Sequence, residues 1–219
     1  MNKKSIIILG SGLVGGPMAR DLAEEFNVSL ADISREALNK AIGDFPISGI
    51  TSDLSKEENI IKLIEGFDLV INAVPGHMGF KTLETVITCG LDVVDIAFFP
   101  EDLFLLDKLA KEKGVVAISD IGVAPGMSNI LTAYAASQLD KVEKVKIMVG
   151  GLPKTRQLPW EYKAVFSPAD VIEEYTRPAR LVRGGKEIVV PALGERELVE
   201  IEDIGTLDAF ISDGLRSLI

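Results

Sequence analysis

One short glycine-rich segment constrains the fold of this 219-residue chain more than any other feature. The hexapeptide Gly10-Ser11-Gly12-Leu13-Val14-Gly15 has the spacing G-x-G-x-x-G, follows the apolar run Ser5–Leu9 and opens a segment with helical spacing. In such a unit the first glycine makes a tight turn, the second lets the backbone approach a pyrophosphate, and the third lets helix and strand pack closely. The helix N-terminus adds free N–H groups and a favourable dipole. The segment therefore predicts dinucleotide binding, with a tight structural turn as the alternative.

An acidic residue after the second predicted strand indicates which dinucleotide is bound. Asp32 lies 22 residues after Gly10, near the ~20 typical of a carboxylate that binds the adenosine ribose. Its charge repels a 2′-phosphate, so NAD is predicted over NADP, although the nearby Arg35 offers a group that accepts such a phosphate. Asp53 and Leu54, after the third predicted strand, are placed beside the adenine, with a solvated strand end as the alternative.

The first half of the chain alternates short apolar runs with amphipathic segments. Ser55 and Glu58 have the spacing of a capping box and predict the start of one helix. Strands that alternate with helices of about ten residues predict an α/β fold, a Rossmann doubly wound parallel sheet covered on both faces and ending near residue 120. The strand runs are Ser5–Leu9, Val28–Asp32, a third run that ends before Asp53, and then Asp68–Ala73, Asp92–Ile96 and Val115–Ser119; the helical runs are Pro17–Phe26, Ser34–Ile42, Gly79–Cys89 and Pro100–Lys113.

The pattern changes after the turn Asp120–Gly126. Ala179–Val182 and Glu187–Val190 flank Arg183-Gly184-Gly185-Lys186, which predicts a β-hairpin. We therefore predict a dinucleotide-binding domain over residues 1–125, followed over residues 126–219 by a partial substrate or dimerisation domain of α+β type with a mixed sheet. Asp208–Ile219 reads as the beginning of a further element.

Candidate site residues follow the later strands, where open α/β sheets bind ligands. The small residues Asn72, Ala73, Val74 and Pro75 are placed along the nicotinamide ribose. His77 is the only histidine in the chain and is a candidate for binding the substrate. Its side chain has either a catalytic role or a role in hydrogen bonding within the loop. Asp95 and Asp120 end the fifth and sixth strands, either in the site or as structural caps.

The second half contains a further group of candidates around Trp160. Glu161 and Lys163 are candidates to move protons, and Lys163 or Arg156 to hold a substrate carboxylate. An amphipathic edge strand is the alternative reading of this segment. The catalytic candidates are Asp120, Glu161 and Lys163, and the substrate-binding candidates are Tyr162, Arg156 and His77.

Charge and cysteine content exclude several classes of partner. The chain has 23 Lys+Arg against 33 Asp+Glu, a formal net charge of −10, so nucleic-acid backbones and anionic membrane surfaces repel it and a small-molecule ligand is favoured. Cys89 is the only cysteine, which excludes an intrachain disulfide and a cysteine-based zinc site. We predict no bound metal. The absence of disulfides favours a cytoplasmic location. Lys3 and Lys4 before an apolar run resemble the start of a signal peptide. Because glycines interrupt that run, we do not predict secretion.

Several motifs of the second half resemble one known family. Asp120–Asn129 (DIGVAPGMSN), Val149–Pro153 (VGGLP) and Glu161–Ser167 (EYKAVFS) resemble the saccharopine dehydrogenase-like family. With Tyr175–Ala179 and Ala136–Leu139, they resemble most closely its lysine 6-dehydrogenase branch. The resemblance implies an NAD(P)-dependent oxidoreductase acting on the CH–NH group of an amino acid or amine, with hydride transfer and imine formation, and a homodimer.

The chain also departs from the family pattern at several positions. Ala124 and Val149 stand where the saccharopine-forming reductases carry Asp and Cys. Family members continue past the position of Ile219, so the chain is expected to be shortened at its C-terminus. The alternative function is a non-catalytic or degenerate dinucleotide-binding protein that lacks a complete substrate domain.

Overall fold

The structure is a computed structural model that describes residues 3–214 and 217–218. The chain forms two compact units. The first comprises the residues up to Ile121 together with Val165–Ser167, and the second comprises Gly122–Ala164 and the residues from Pro168 onward. The expectation of a further element at the chain's end rests partly on Leu215 and Ile219, which lie outside the described residues.

The first unit is built on a six-stranded parallel sheet with the strand order β3-β2-β1-β4-β5-β6. This order confirms the predicted doubly wound Rossmann sheet. The strands are β1 (Ser5–Leu9), β2 (Asn27–Asp32), β3 (Ser48–Thr51), β4 (Leu69–Asn72), β5 (Val93–Asp95) and β6 (Ala117–Ile118). The helices are α1 (Gly15–Leu22), α2 (Arg35–Ile42), α3 (Glu57–Ile64), α4 (Gly76–Thr88) and α5 (Asp107–Lys113), with a 3-10 helix at Leu103–Leu106.

The continuous apolar run of β1 is explained by helices on both faces of the sheet. Successive side chains of a strand point to opposite faces. Ile7 packs in a buried cluster with Val86 of α4, whereas Ile8 packs in a second cluster with Leu38 of α2. All four of these side chains are at most 1% exposed. The central strand is therefore fixed between two cores, and the loop that follows it begins from a rigid base.

The predicted capping box at the start of α3 does not form. The helix begins at Glu57, and its N-cap residue Lys56 makes no side-chain capping bond. Ser55 instead donates from its backbone N–H and from Oγ to Asp53 Oδ1, at 3.1 and 2.6 Å. These bonds favour the charged carboxylate and lower the pKa of Asp53. The Ser55 hydroxyl, which would accept a hydrogen bond in the capping box, thus donates to Asp53 in an Asx turn.

The described part of the second unit contains two helices and two β-hairpins. The predicted hairpin is confirmed, because β7 and β8 pair antiparallel and Gly184 and Gly185 have φ of 59° and 73° in the turn. A second hairpin, β9–β10, has no counterpart in the sequence prediction. The sheets described in this unit are two antiparallel pairs in place of the predicted mixed sheet. The elements are α6 (Met127–Ser137), α7 (Pro168–Thr176), β7 (Ala179–Arg183), β8 (Lys186–Val190), β9 (Glu197–Ile201) and β10 (Gly205–Ala209).

Within the described ranges, no helix combines the length and the apolar character that crossing a membrane requires.

Candidate functional site

The glycine-rich loop lies at the point where the strand order of the sheet reverses. β1 has β2 on one side and β4 on the other, and Leu9 is paired in register with both Ala31 and Asn72. The N–H of Gly10 donates to the carbonyl of Ala31 at 2.8 Å. The carboxyl ends of three strands therefore meet around Gly10, in the crevice where open α/β sheets bind nucleotides.

The three glycines of the loop meet different steric limits. Gly10 has a φ of +109°, and a Cβ there would lie 2.5 Å from the Ala73 carbonyl oxygen. A Cβ on Gly15 would overlap the carbonyl oxygen of Gly10. A Cβ on Gly12 would meet no atom within 4 Å, and this exposed residue lies just before α1. The loop is thus closed tightly at Gly10 and Gly15 and open at Gly12, as the approach of a pyrophosphate requires.

Asp32 is engaged by two segments of the protein itself. Its Oδ2 accepts hydrogen bonds from the backbone N–H of Ser11 at 2.8 Å and from Ser11 Oγ at 2.9 Å. Its Oδ1 accepts from the backbone N–H of Ser34 at 2.9 Å. Ser34 in turn caps α2, because its Oγ accepts from the N–H of Ala37. The carboxylate therefore ties the glycine-rich loop to the turn between β2 and α2.

Asp53 and Leu54 differ in their surroundings. Asp53 is partly exposed at the end of β3, where it accepts from Ser55 and lies 3.6 Å from Lys56 Nζ. The Leu54 side chain is 7% exposed and belongs to the core cluster beneath the sheet. The structure thus leaves Asp53 near the surface and packs the Leu54 side chain in the core, and the position of both residues beside the adenine stays a prediction.

The last residue of β4 carries a buried amide with an unused acceptor. Asn72 is fully buried, and its Nδ2 donates to the carbonyl of Gly79 at 3.1 Å. Its Oδ1 accepts no hydrogen bond from the described part of the chain; buried polar atoms normally have a partner, such as water or a ligand. Val74 is buried in the core, Pro75 is the N-cap residue of α4, and His77 is exposed in the first turn of that helix.

The two aspartates at the ends of the last strands are buried. Asp95 ends β5, and its Oδ1 accepts from the N–H of Ala97 at 2.9 Å. Asp120 follows β6 and has a φ of 56°, in the left-handed region that residues other than glycine rarely adopt. Asp120 therefore belongs to the first unit, at the same sheet edge as Asn72 and Asp95.

The candidates of the second unit lie on an irregular segment. Residues 158–160 form a turn and residues 161–163 have no regular secondary structure, so the edge-strand alternative does not hold. Arg156 Nε lies 3.0 Å from Glu161 Oε1, and the N–H of Lys163 donates to the carbonyl of Gly151 at 2.8 Å. A Cβ on Gly151 would overlap the Lys163 carbonyl. Two of the candidates, Arg156 and Glu161, are thus brought together as an ion pair.

A carboxylate that the sequence did not single out lies next to Tyr162. Glu174, on α7, accepts a hydrogen bond from the Tyr162 hydroxyl at 3.4 Å. Burial raises the pKa of Glu174, and burial together with this carboxylate raises the pKa of Tyr162 to about 12. The ring of Tyr175 stands edge-on to Tyr162, and Phe210 lies against Tyr175, with centroid distances of 6.3 and 5.1 Å. Helix α7 was not predicted from the sequence; the helical spacing after Pro168 is a signal that indicates it.

The raised pKa of Glu174 predicts a pH-dependent gain in stability for Glu174→Gln. A carboxyl group whose pKa rises on folding contributes stability below its ordinary pKa of 4.5 and loses it as the pH rises through the folded value. We therefore expect Glu174→Gln to unfold at a higher temperature than the unaltered chain at pH 8, and the difference to disappear below pH 4.5. Thermal unfolding followed by circular dichroism measures this effect.

The matched control for this substitution is Glu173→Gln on the same helix. Glu173 is exposed and pairs with Arg177 at 3.3 Å, so its replacement removes an attraction and gives no gain at pH 8. An equal gain for both variants would contradict the effect assigned to burial of Glu174.

No group of three or more His, Cys, Asp or Glu side chains in the described ranges is arranged to hold a metal ion.

Two family models match successive parts of the chain. The saccharopine dehydrogenase NADP binding domain matches residues 6–118, and the saccharopine dehydrogenase C-terminal domain matches residues 122–213. In the solved structure of apo histidine-tagged saccharopine dehydrogenase (L-Glu forming) from Saccharomyces cerevisiae, the similarity covers 95% of this chain and 49% of that one, with a TM-score of 0.73 and 19% identity. This similarity supports the fold.

Curated relatives have comparable levels of identity to the chain. Mitochondrial alpha-aminoadipic semialdehyde synthase of Mus musculus is 26% identical over 86% of this chain and 21% of its own length. Saccharopine dehydrogenase (NADP(+), L-glutamate-forming) of Saccharomyces cerevisiae is 26% identical over 84% of this chain and 43% of its own length. Carboxyaminopropylagmatine dehydrogenase of Synechocystis is 24% identical over 87% and 54%. The chain thus spans between a fifth and about half the length of these relatives.

The prediction of NAD as the cofactor is wrong. The model that matches residues 6–118 is that of an NADP binding domain, and the yeast relatives are named for NADP(+). The prediction rested on a free Asp32 carboxylate at the end of β2. In the structure that carboxylate already accepts three hydrogen bonds from Ser11 and Ser34. The sequence spacing between Gly10 and Asp32 therefore did not indicate what the Asp32 side chain binds.

Proposed function

This chain belongs to the saccharopine dehydrogenase family, and from that premise we propose that it is an NADP-dependent oxidoreductase acting on the CH–NH group of an amino acid or amine. The observation that carries the proposal is the glycine-rich loop at the strand-order reversal, open at Gly12 and closed at Gly10 and Gly15. The alternative of a non-catalytic dinucleotide-binding protein is less favoured, because a second family model matches residues 122–213.

The residues of the first unit support binding of the cofactor. The N–H groups at the start of α1 and the open space over Gly12 suit a pyrophosphate. The unused Oδ1 of Asn72 offers an acceptor at the edge of β4, and Ala73 to Pro75 are proposed to lie along the nicotinamide ribose. When bound, the nicotinamide accepts or supplies the hydride. The proposed division into residues 1–125 and 126–219 assigns this part of the chemistry to the first domain.

Oxidation of an amine requires a group that takes a proton from the substrate ammonium. We keep Asp120, in the first unit, and Glu161 and Lys163, in the second unit, as the candidates. The Arg156–Glu161 ion pair holds the Glu161 carboxylate in place. Arg156, Tyr162 and His77 remain candidates for binding the substrate.

We propose only a chemical class for the substrate. The relatives are named for saccharopine, L-glutamate and carboxyaminopropylagmatine, which suggests an amine that carries a carboxylate. Ala124 and Val149 lack the polar groups of the saccharopine-forming reductases, which favours an amine other than saccharopine. The lysine 6-dehydrogenase branch is one such assignment. A homodimer and a cytoplasmic location also stay proposals, and light scattering on the purified protein measures the first.

The proposed function is tested in two steps. Calorimetric titration with NADPH and NADH is expected to give tighter binding of NADPH. Incubation of the full-length protein with NADP(+) and a panel containing lysine, saccharopine, glutamate and polyamines with carboxylate groups is expected to produce NADPH with at least one member. Binding without turnover of any amine would contradict the proposed reaction and favour the non-catalytic alternative.

A further inference from the structure

We infer that Glu174 and the aromatic rings beside it form a binding site for a primary ammonium group in the second unit. The site consists of Glu174 and Tyr175 on α7, Tyr162 on the irregular segment before that helix, and Phe210 directly after β10. That the ammonium group belongs to the amine substrate rests on the proposed function. The binding of an ammonium group is a property of this cluster alone.

The charge of Glu174 is not balanced by a cation of the protein. Within the described ranges the Glu174 carboxylate makes no ion pair, and its one hydrogen bond comes from the Tyr162 hydroxyl to Oε2 at 3.4 Å, which is long for an O–H···O bond. The other oxygen, Oε1, is left for a ligand. Burial raises the pKa of this carboxyl group, as expected where a carboxylate loses water without gaining an opposite charge.

The groups that face Glu174 bring no positive charge. They are the phenols of Tyr162, on the irregular segment, and of Tyr175, on the same helix, and burial raises the pKa of both. Guanidinium groups on the neighbouring elements are engaged by other carboxylates. These ion pairs are Arg177–Glu173, Arg156–Glu161 and Arg180–Asp213, with N···O distances of 3.3, 3.0 and 2.8 Å.

The rings beside Glu174 are suited to an ammonium group. The Tyr162 and Tyr175 rings stand edge-on with centroids 6.3 Å apart, and Phe210 lies 5.1 Å from Tyr175. A Cβ on Gly151 would lie 3.3 Å from Tyr162 Cζ, so the backbone there supports the hydroxyl end of the ring. Ring faces attract cations, and a neighbouring carboxylate adds a charge-assisted hydrogen bond. Tyr175 is 36% exposed and Glu174 half-buried, which leaves the cluster open to a ligand.

Titration of the full chain with n-butylammonium chloride tests the site without cofactor or turnover. At pH 8 we expect this probe to shift the NMR signals of the Glu174 carboxylate carbon and of the Tyr175 ring. Glu174→Gln keeps the shape of the side chain without its charge, and the Tyr175 signals are expected to show about tenfold weaker binding. 1-Butanol, which has the same carbon chain without the charge, is also expected to bind about tenfold more weakly.

Glu173→Gln is the matched control on the same helix. Its exposed carboxylate already pairs with Arg177, and water screens its charge, so the affinity for butylammonium is expected to change less than about twofold. Tyr175→Leu removes a ring and keeps the carboxylate, and we expect a loss of about two- to fivefold.

A bound cation is also expected to change the acidity of Glu174. Nearby positive charge favours the ionised carboxylate, so saturating butylammonium lowers the raised pKa of Glu174 towards its ordinary value of 4.5. For the same reason the affinity falls as the pH decreases through the raised pKa, because protonation removes the charge that binds the probe. The carboxylate carbon signal, followed against pH with and without butylammonium, measures both effects.

The outcomes separate this inference from the proposed function. The inference is overturned if butylammonium leaves the Glu174 and Tyr175 signals unchanged, if 1-butanol binds equally well, or if Glu174→Gln binds butylammonium as tightly as the unaltered chain. None of these results would affect the binding of NADPH or the oxidation of an amine. Binding of butylammonium at Glu174 in a chain that oxidises no member of the amine panel would support the site and refute the proposed function.

Discussion

Replacing Gly15 with alanine is expected to destabilise the first unit and to abolish binding of NADPH. The added Cβ would overlap the carbonyl oxygen of Gly10. That oxygen belongs to the backbone, so no flexible side chain can move aside, and either α1 or the loop must shift. Overpacking of this kind costs about 3 kcal/mol at the upper end of its usual range, which lowers the unfolding midpoint of a chain of this size by roughly 6–12 °C.

Gly12→Ala provides the contrast that separates folding from binding. A Cβ at Gly12 meets no atom within 4 Å, so this variant is expected to unfold at the same temperature as the unaltered chain. The methyl group nevertheless fills the space through which a pyrophosphate approaches, and we expect NADPH affinity to fall about tenfold or more. Thermal unfolding and calorimetric titration of both variants measure the two effects. Equal stability of Gly15→Ala and Gly12→Ala would contradict the tight packing at Gly15.

The parts of the fold that follow from local pattern were predictable from the sequence. The run Ser5–Leu9 forms β1 with its predicted bounds, because a strand buried on both faces requires continuous apolar residues. The hairpin around Gly184 and Gly185 was equally predictable, since its turn needs two residues that tolerate positive φ. Each of these signals lies within a few residues of the element that it specifies.

The features that depend on distant partners were not predictable in this way. Asp32 is held by Ser11, 21 positions earlier in the chain, and a spacing rule contains no information on that bond. Glu174 accepts a hydrogen bond from Tyr162, 12 positions away on an irregular segment. Leu54 was predicted to lie beside the adenine because it follows a strand. Its side chain packs into a core assembled from several helices, which that position in the sequence did not indicate. Tertiary contacts decided the role of the side chain at all three positions.

Replacing Asp213 with alanine is expected to give the largest loss of stability in the second unit. Asp213 is 3% exposed, and its Oδ1 accepts from both the backbone N–H and Nε of Arg180 at 3.1 Å. Its Oδ2 accepts from Arg180 Nη2 at 2.8 Å. Removing the carboxylate leaves a largely buried guanidinium and a backbone N–H without this acceptor. Breaking a buried pair in this way costs about 3 kcal/mol.

An exposed ion pair on the same strand supplies the control for Asp213→Ala. Arg183 donates to both oxygens of Glu195 at 2.9 and 2.7 Å, with side chains 57% and 41% exposed. The geometry is as close as that of the buried pair, but water solvates the charges once they separate, so Glu195→Ala is expected to lower the stability much less than Asp213→Ala does. Urea unfolding of both variants, with hydrogen exchange at the β7 amides, measures the difference. Similar losses would mean that burial adds little to the Arg180–Asp213 pair, and a loss near zero for Asp213→Ala would mean that β7 does not depend on it.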